Sequence, residues 1–458
     1  MDLILEKLKS IVGSDFWRST SSENLKYFND INNNQNGLPS IILLPASSIQ
    51  ISQILKICNS YKLPVSIQGG MTGLVQGAVP FNNEIVISLE KMNSIVEFDK
   101  TSLNAIVQSG VSLENFQNFL DEKNLFFPLD LGSKGSCSIG GNLSTNAGGA
   151  RVIKYGMMRS LTLGLEVVLA DGTIISNLNG LLKDNAGYDL KHLFIGSEGT
   201  LGVITQSALK LFPKPKSQNV AFCGLNKFSN VVQLLLKSKF EFGDNLSAFE
   251  ALWNPTYKKI ITSLKINAPL TMDYNYYVLL ETMGHKPELD NRWFKEILSY
   301  FLEEGLILDA IVSSSENEVN KIWSVRENSS TAFRKIPKRM NFDVSINLND
   351  MEAFTTKLNQ RLLNKKEVDE ILFFGHLGDN NLHAVVICND YSEKIKNDFY
   401  NLVGEFNGSI SAEHGIGLEK KPYLHFSRSE EEINLMKQLK SKLDPNNILN
   451  RNRIFNIN

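Results

Sequence analysis

Three stretches in the first half of this chain concentrate glycine with small hydroxyl residues: QGGMTGLVQGAVP (68–80), PLDLGSKGSCSIGGNLSTNAGG (128–149) and IGSEGTLGVIT (195–205). Glycine lets backbone approach a ligand closely and reach positive φ, while hydroxyls and exposed N–H groups suit a pyrophosphate. One such loop is ordinarily only a turn, but three within one domain point to a nucleotide cradle. None of them places G-x-G-x-x-G between a strand and a helix, so a Rossmann site is the weaker reading.

The surrounding pattern is β-rich. SIILLPASSIQISQILKICNSYKLPVSIQGG reads as strand, helix (Ile51, Ile54, Leu55 and Cys58 at helical spacing) and a second strand at Val65 to Gln68. EIVISL, SIVEFD and NAIVQSG read as short strands, and LEVVLADGTIIS as a hairpin closed by a tight primed turn at Asp171-Gly172. After KLFPKPKS, with Pro213 and Pro215 breaking regular structure, strands alternate with amphipathic helices near 226–240, 289–304, 316–334, 350–365 and 392–405. That alternation predicts an antiparallel sheet covered by helices, hence an α+β protein. The expected division is 1–215, 216–440 and a tail, 441–458, stopped as a helix by Asp444-Pro445.

Several function classes fall away on composition. With 458 residues, 42% hydrophobic, 21% charged and a formal charge of -2, the chain reads as an ordinary globular protein without a basic field for nucleic acid. MDLILEKLKSIVG reads as a short amphipathic helix rather than a secretory signal, and no apolar run suggests a transmembrane segment. A cytoplasmic location is the expectation. Four scattered cysteines, Cys58, Cys137, Cys223 and Cys388, supply neither a disulfide framework nor an iron–sulfur site. Redox chemistry would therefore need an organic cofactor. Cys137 reads as a small buried residue, and His192, His285 and His425 as packing or surface residues.

The second half carries its own constellation in ILFFGHLGDNNLHAVV (371–386). Apolar strands flank a turn of Gly378, Asp379, Asn380 and Asn381, which would face His376 and His383 across the mouth of a hairpin. Two imidazoles there are as well explained by a polar turn as by a metal, since a zinc site needs a third ligand. Glu413, beside His414 in SISAEHGIG, is the candidate. In KIWSVRENSSTAFRK, helical spacing puts Arg326 and Ser330 on one face, and arginine can clamp a carboxylate with two parallel hydrogen bonds.

Read together, P-x-x-x-Q-G-G-x-T-G-L-x-x-G, the long P-L-D-L-G block and K-D-N-x-G-Y-D-L-K-x-L-F-I-G-S-E-G-T-L-G resemble the FAD-binding (PCMH-type) domain of vanillyl-alcohol-oxidase-type flavoproteins. Within these, G-H-x-G-D-x-N-x-H and A-E-H-G-x-G resemble the D-2-hydroxyglutarate and D-lactate dehydrogenase branch. The resemblance runs over nearly the whole chain. It implies a PCMH-type FAD domain, a C-terminal substrate (cap) domain and a tail returning to the FAD domain. It implies FAD contacts at Gly69, Gly70, Thr72, Gly73, Gly140, Asn142, Thr145, Gly148, Gly199 and Val203. Met71 stands where some relatives carry a flavin-linked histidine, so the flavin is expected to be non-covalent.

The same resemblance implies His376, His383 and Glu413 as ligands of Zn2+ or Mn2+, His414 as base and, through its W-x-x-R-E motif, Arg326 as substrate clamp, beside which helical spacing sets Ser330. Two nitrogens and one carboxylate leave a coordination position open, as in catalytic sites. A metal-held hydroxyl becomes acidic enough for a histidine, which ordinarily titrates near 6.5, to take its proton while hydride passes from C2 to flavin N5. The expected reaction is oxidation of a D-2-hydroxy acid, with D-2-hydroxyglutarate leading and D-lactate or glycolate as alternatives. A flavoprotein that only transfers electrons to a partner is a third reading. Family members commonly carry lysine where Asn341 stands and asparagine where Val385 stands, which makes these two substrate-pocket positions less suited to a dicarboxylate. The electron acceptor is expected to be an electron-transfer flavoprotein or a quinone, and a homodimer is the expected assembly.

Overall fold

The computed structural model describes residues 1–457. By internal contacts the chain forms two compact units: 1–148, 157–214 and 413–458 in the first, and 149–156 with 215–412 in the second. This differs from the expected division in two places. Everything from Glu413 onward, not only 441–458, goes with the first unit, and residues 149–156 go with the second.

In the first unit, β1 (Trp17–Arg18), β2 (Ile41–Leu43), β3 (Val65–Gln68) and β4 (Ile85–Ser88) make a sheet of order β1-β2-β4-β3, whose β2, β3 and β4 run parallel. The crossover from β2 to β3 is the helix Ser48–Ser60, started by Ser47, whose hydroxyl accepts from Gln50 N at 3.3 Å. Its Ile51, Ile54, Leu55 and Cys58 are fully buried against Ile41, Leu43, Val65 and Ile85, as helical spacing requires. A second sheet, of order β5-β6-β10-β8-β9, is antiparallel and contains β5 (Ile95–Asp99), β6 (Asn104–Gln108), β8 (Thr162–Val168), β9 (Ile174–Asn177) and β10 (Val203–Lys210). The short β7 (Leu125–Phe126) pairs with β11 (Phe212–Pro213).

The β8–β9 hairpin forms, but not through a two-residue primed turn. Leu169 N donates to Thr173 O at 2.8 Å, and of the pair Asp171-Gly172 only Gly172 takes positive φ, at 83°. A primed type I turn needs both central residues there. The C-terminal tail closes this unit: Val65 N donates to Ile448 O (2.7 Å), Asn450 N to Val65 O (2.9 Å), and Ile448 and Leu449 complete the apolar core.

The second unit is one seven-stranded antiparallel sheet of order β15-β12-β14-β13-β17-β18-β16. Its strands are β12 (Ser217–Leu225), β13 (Leu246–Trp253), β14 (Tyr276–Gly284), β15 (Asp309–Val312), β16 (Arg339–Ser345), β17 (Val368–His376) and β18 (Asn381–Cys388). Phe222, Leu252, Tyr257, Leu279, Trp323, Phe333, Leu372 and Phe374 belong to one apolar cluster that joins strands to helices. The insert 149–156 is fixed to this sheet by Arg151, whose Nε donates to the fully buried Glu281 at 3.0 Å, and Trp323 Nε1 donates to the same carboxylate at 2.9 Å. Breaking such a buried pair typically costs about 3–5 kcal/mol.

The expected helix over 316–334 is two helices, Glu316–Glu327 and Ser329–Arg334, separated at Asn328. Asn328 departs from helical dihedrals (φ -79°, ψ 2°), although its N still donates to Ser324 O at 3.1 Å and its O accepts from Ala332 N at 2.9 Å, and this departure matters for Arg326.

Candidate functional site

Antiparallel register builds the site in the second unit. Glu250 on β13 lies opposite His376 on β17, Phe374 on β17 opposite His383 on β18, and Asp343 on β16 opposite His383. Directly paired residues project from the same face, so four strands present Glu250, His376, His383 and Asp343 side by side. The hairpin turn between the histidines is Leu377–Asp379 closed by Asn380 in the left-handed region (φ 69°), which asparagine tolerates better than most residues. The two imidazole centroids stand 5.4 Å apart.

Glu250 is fully buried and holds two partners, His376 through Nδ1 and Arg326 through Nε at 2.6 Å. Burial alone would raise its pKa, but His376 and Arg326 together hold it down to about 2. An ionised carboxylate can only accept, so Nδ1 of His376 carries a proton, while its Nε2 stands 3.2 Å from Arg326 Nη2. A carboxylate behind one ring nitrogen is the partner that metal-ligating histidines commonly have. His383 has the same kind of neighbour, with Asp343 Oδ1 3.7 Å from its Nδ1.

Glu413 follows Ala412 by one peptide bond, and Ala412 N donates to Asp343 Oδ2 at 3.2 Å. With the chain tethered there, one ligand atom from each of His376, His383 and Glu413 lies within 4.8 Å of the others. A second group of the same tightness is Asp343, Glu413 and His414. The donor set, two imidazoles and a carboxylate, fits Zn2+ or Mn2+.

Arg326 and Ser330 are not brought together. The break at Asn328 turns Ser329 rather than Ser330 toward the arginine, and Arg326 Nη1 donates to Ser329 Oγ at 3.3 Å while Ser330 is exposed. The i, i+4 relation holds only inside a continuous helix. Asn341 and Val385 lie opposite one another on β16 and β18, on the face that carries Asp343 and His383. Asn341 is exposed, whereas Val385 is packed in the apolar cluster with Leu372 and Phe374. Of these two expected pocket positions only Asn341 is open to a ligand, because an apolar side chain gains by burial beside its apolar neighbours.

In the first unit the three glycine-rich stretches converge. A Cβ on Gly69 would collide with Ser138 Oγ, one on Gly70 with Ser136 O, and one on Gly140 with Ser109 Cβ. Glycine at these positions serves close packing of chain on chain. Gly73, with nothing within 4 Å of a built Cβ, is open to a ligand. The third stretch docks on the helix Ile139–Ser144, where Gly196 N donates to Leu143 O (3.0 Å) and Glu198 N to Ser144 O (2.8 Å). Thr72 and Thr145 are half-buried and Asn142 is buried, its Nδ2 3.6 Å from Cys137 Sγ. Gly148 is buried at the end of this unit's first segment, Gly199 takes φ 71°, and the Val203 side chain lies in the apolar core, leaving only its backbone for a ligand. A convergent, tightly packed set of loops with open backbone at Gly73 fits a dinucleotide such as FAD. The thiol of Cys137 is pushed up by burial, which opposes a reactive role.

Sequence reasoning missed Glu250, Asp343 and Glu198. The first two had a legible signal, a single acid inside an apolar strand (LSAFEALW and MNFDVS), which burial makes costly unless the acid is paired.

The fold is similar to that of p-cresol methylhydroxylase with substrate bound, which superposes with a TM-score of 0.78 at 16% identity, over 99% of this chain and 97% of that one. Residues 39–177 match the FAD binding domain model and residues 214–454 the model of the C-terminal domain of FAD linked oxidases. A probable mitochondrial D-2-hydroxyglutarate dehydrogenase of Oryza sativa subsp. indica is 41% identical over 92% of this chain and 76% of its own length. A putative mitochondrial D-lactate dehydrogenase of Schizosaccharomyces pombe is 39% identical over 97% of this chain and 88% of its own length. The chain belongs to the FAD-linked oxidase family, in the branch of the D-2-hydroxyglutarate and D-lactate dehydrogenases, and is an FAD-dependent oxidoreductase.

These relatives overturn the expectation of a cytoplasmic protein, since they are named as mitochondrial. Composition could not have shown this: a charged surface is as suited to one aqueous compartment as to another. No helix among the described residues is long and apolar enough to cross a membrane.

Proposed function

We propose that this chain oxidises a D-2-hydroxy acid to the 2-oxo acid, with D-2-hydroxyglutarate as the leading substrate. The observation that carries the reading is Glu250, which orients a histidine of the candidate metal group and an arginine at once. Bound FAD would accept the C2 hydrogen with its electron pair, and Zn2+ or Mn2+ held by His376, His383 and Glu413 would supply a Lewis acid for the substrate hydroxyl. The remaining work belongs to side chains. Arg326, held through Nε on Glu250, Nη1 on Ser329 and Nη2 beside His376, has a second N–H on each Nη for the substrate carboxylate. Glu250 fixes the tautomer of His376 and the plane of Arg326. His414 takes the hydroxyl proton. Reduced flavin would pass its electrons to an electron-transfer flavoprotein or a quinone.

A second reading, D-lactate or glycolate as substrate, is favoured by Asn341, an uncharged residue on the open part of the site face. Anaerobic bleaching of the flavin with D-2-hydroxyglutarate, D-malate, D-lactate and glycolate, with elemental analysis of the same sample, tests both. Fastest bleaching by D-2-hydroxyglutarate supports the first reading, fastest bleaching by D-lactate the second. Bleaching by none of them leaves a flavoprotein that serves only electron transfer and sinks the proposal.

A further inference from the structure

Glu198 sits in the I-G-S-E-G-T-L-G stretch, yet its carboxylate is spent on another motif. Its Oε1 accepts from Ile416 N at 2.7 Å and its Oε2 from Gly417 N at 2.8 Å, so each oxygen holds one peptide of the A-E-H-G-I-G loop. The side chain is buried, wedged between Gly77 and Gly415. A Cβ on Gly415 would come within 2.8 Å of Oε1 and one on Gly77 within 3.3 Å of Oε2. Its main chain is pinned from both sides: Glu198 N donates to Ser144 O at 2.8 Å, and Glu198 O accepts from Asn450 Nδ2 at 2.7 Å.

Glu198 also takes φ 52°, a conformation that an ordinary L residue adopts only at a cost and that persists where the surroundings over-determine it. Packing alone would be served as well by glycine there. A glutamate in that conformation instead throws its carboxylate onto two N–H groups of a loop more than two hundred residues away in sequence. Downstream the loop is fixed again, Leu418 N donating to Val75 O at 2.9 Å and Ile454 N to Gly417 O at 2.9 Å.

We propose that Glu198 is a positioning residue, which sets the 413–417 loop and thereby aims the His414 side chain. The three glycine-rich stretches meet on it, through Gly77, Ser144 and Glu198 itself, so the packing that forms the flavin cradle also fixes the loop bearing the base. This rests on the reading of His414 as base. Removing the carboxylate leaves two N–H groups without their acceptor, and displacement of a reacting group by an ångström can cost up to about 100-fold in rate.

The test is Glu198→Ala and Glu198→Gln, with His414→Ala alongside, each assayed with D-2-hydroxyglutarate. Rates are normalised to bound flavin, and KM and thermal midpoint are recorded. We expect kcat per bound flavin to fall about 10- to 100-fold in both Glu198 variants, with KM and flavin content near wild type. If Glu198→Ala does not fold, the isosteric Glu198→Gln carries the test. Wild-type kcat per bound flavin in the folded Glu198 variants, with only flavin content or thermal midpoint reduced, overturns the proposal. A fully active His414→Ala removes its premise instead, and so separates the two failures.

Discussion

Replacing Glu250 by glutamine keeps the shape of the side chain and removes the charge that two partners depend on. In the folded protein this carboxyl falls from 4.5 to about 2, because the pull of His376 and Arg326 exceeds the cost of burial. A drop of that size corresponds to on the order of 3 kcal/mol. It agrees in scale with the ~3–5 kcal/mol lost when one partner of a buried ion pair is removed. Glutamine has one acceptor oxygen, so either His376 Nδ1 or Arg326 Nε would meet an amide N–H. The fully buried side chain has no water with which to make good the loss. Two outcomes are expected together. The urea midpoint falls, and the Zn2+ affinity read by chelator competition weakens about 10- to 100-fold, as it does when the carboxylate behind a metal-bound histidine is lost. The KM for the hydroxy acid rises with it, since the same carboxylate fixes Arg326. A folded Glu250→Gln variant with wild-type Zn2+ affinity and KM would refute the reasoning.

Two further predictions follow from the same face. Glu250 has a depressed pKa, so its contribution to stability is complete above about 4.5 and is lost as pH falls from there through about 2. Acid unfolding of Glu250→Gln should accordingly be less steep across that window, and equal steepness would show that Glu250 titrates elsewhere. Asn341→Lys adds a cation to the exposed part of the face and should raise kcat/KM for D-2-hydroxyglutarate about 3- to 10-fold relative to D-lactate. An unchanged ratio in steady-state assays would place the distal carboxylate away from residue 341.

Much of the fold was legible because its signals are periodic. The helix Ser48–Ser60 and the strands around it follow from apolar spacing, and the hairpin bearing His376 and His383 from a turn-forming tetrad between β-prone runs. What failed was local. A single asparagine at 328 divides one predicted helix in two and exchanges Ser330 for Ser329 beside Arg326. The chain's crossing at 149–156 and its departure from the second unit at Ala412 carry no compositional mark, since neither segment is rich in proline or charge. The candidate ligands could be read as residue types at suggestive spacing. Glu250 showed only as a lone acid in an apolar strand and Glu198 not at all, because their roles lie in partners 126 and 218 residues distant.

The central claim is that His414 takes the substrate proton beside flavin, and single-turnover anaerobic flavin bleaching tests it most directly. With D-2-hydroxyglutarate, the wild-type protein should bleach, and His414→Ala, with flavin and metal retained, should bleach about 100-fold more slowly or worse. Bleaching of His414→Ala at the wild-type rate would contradict the account.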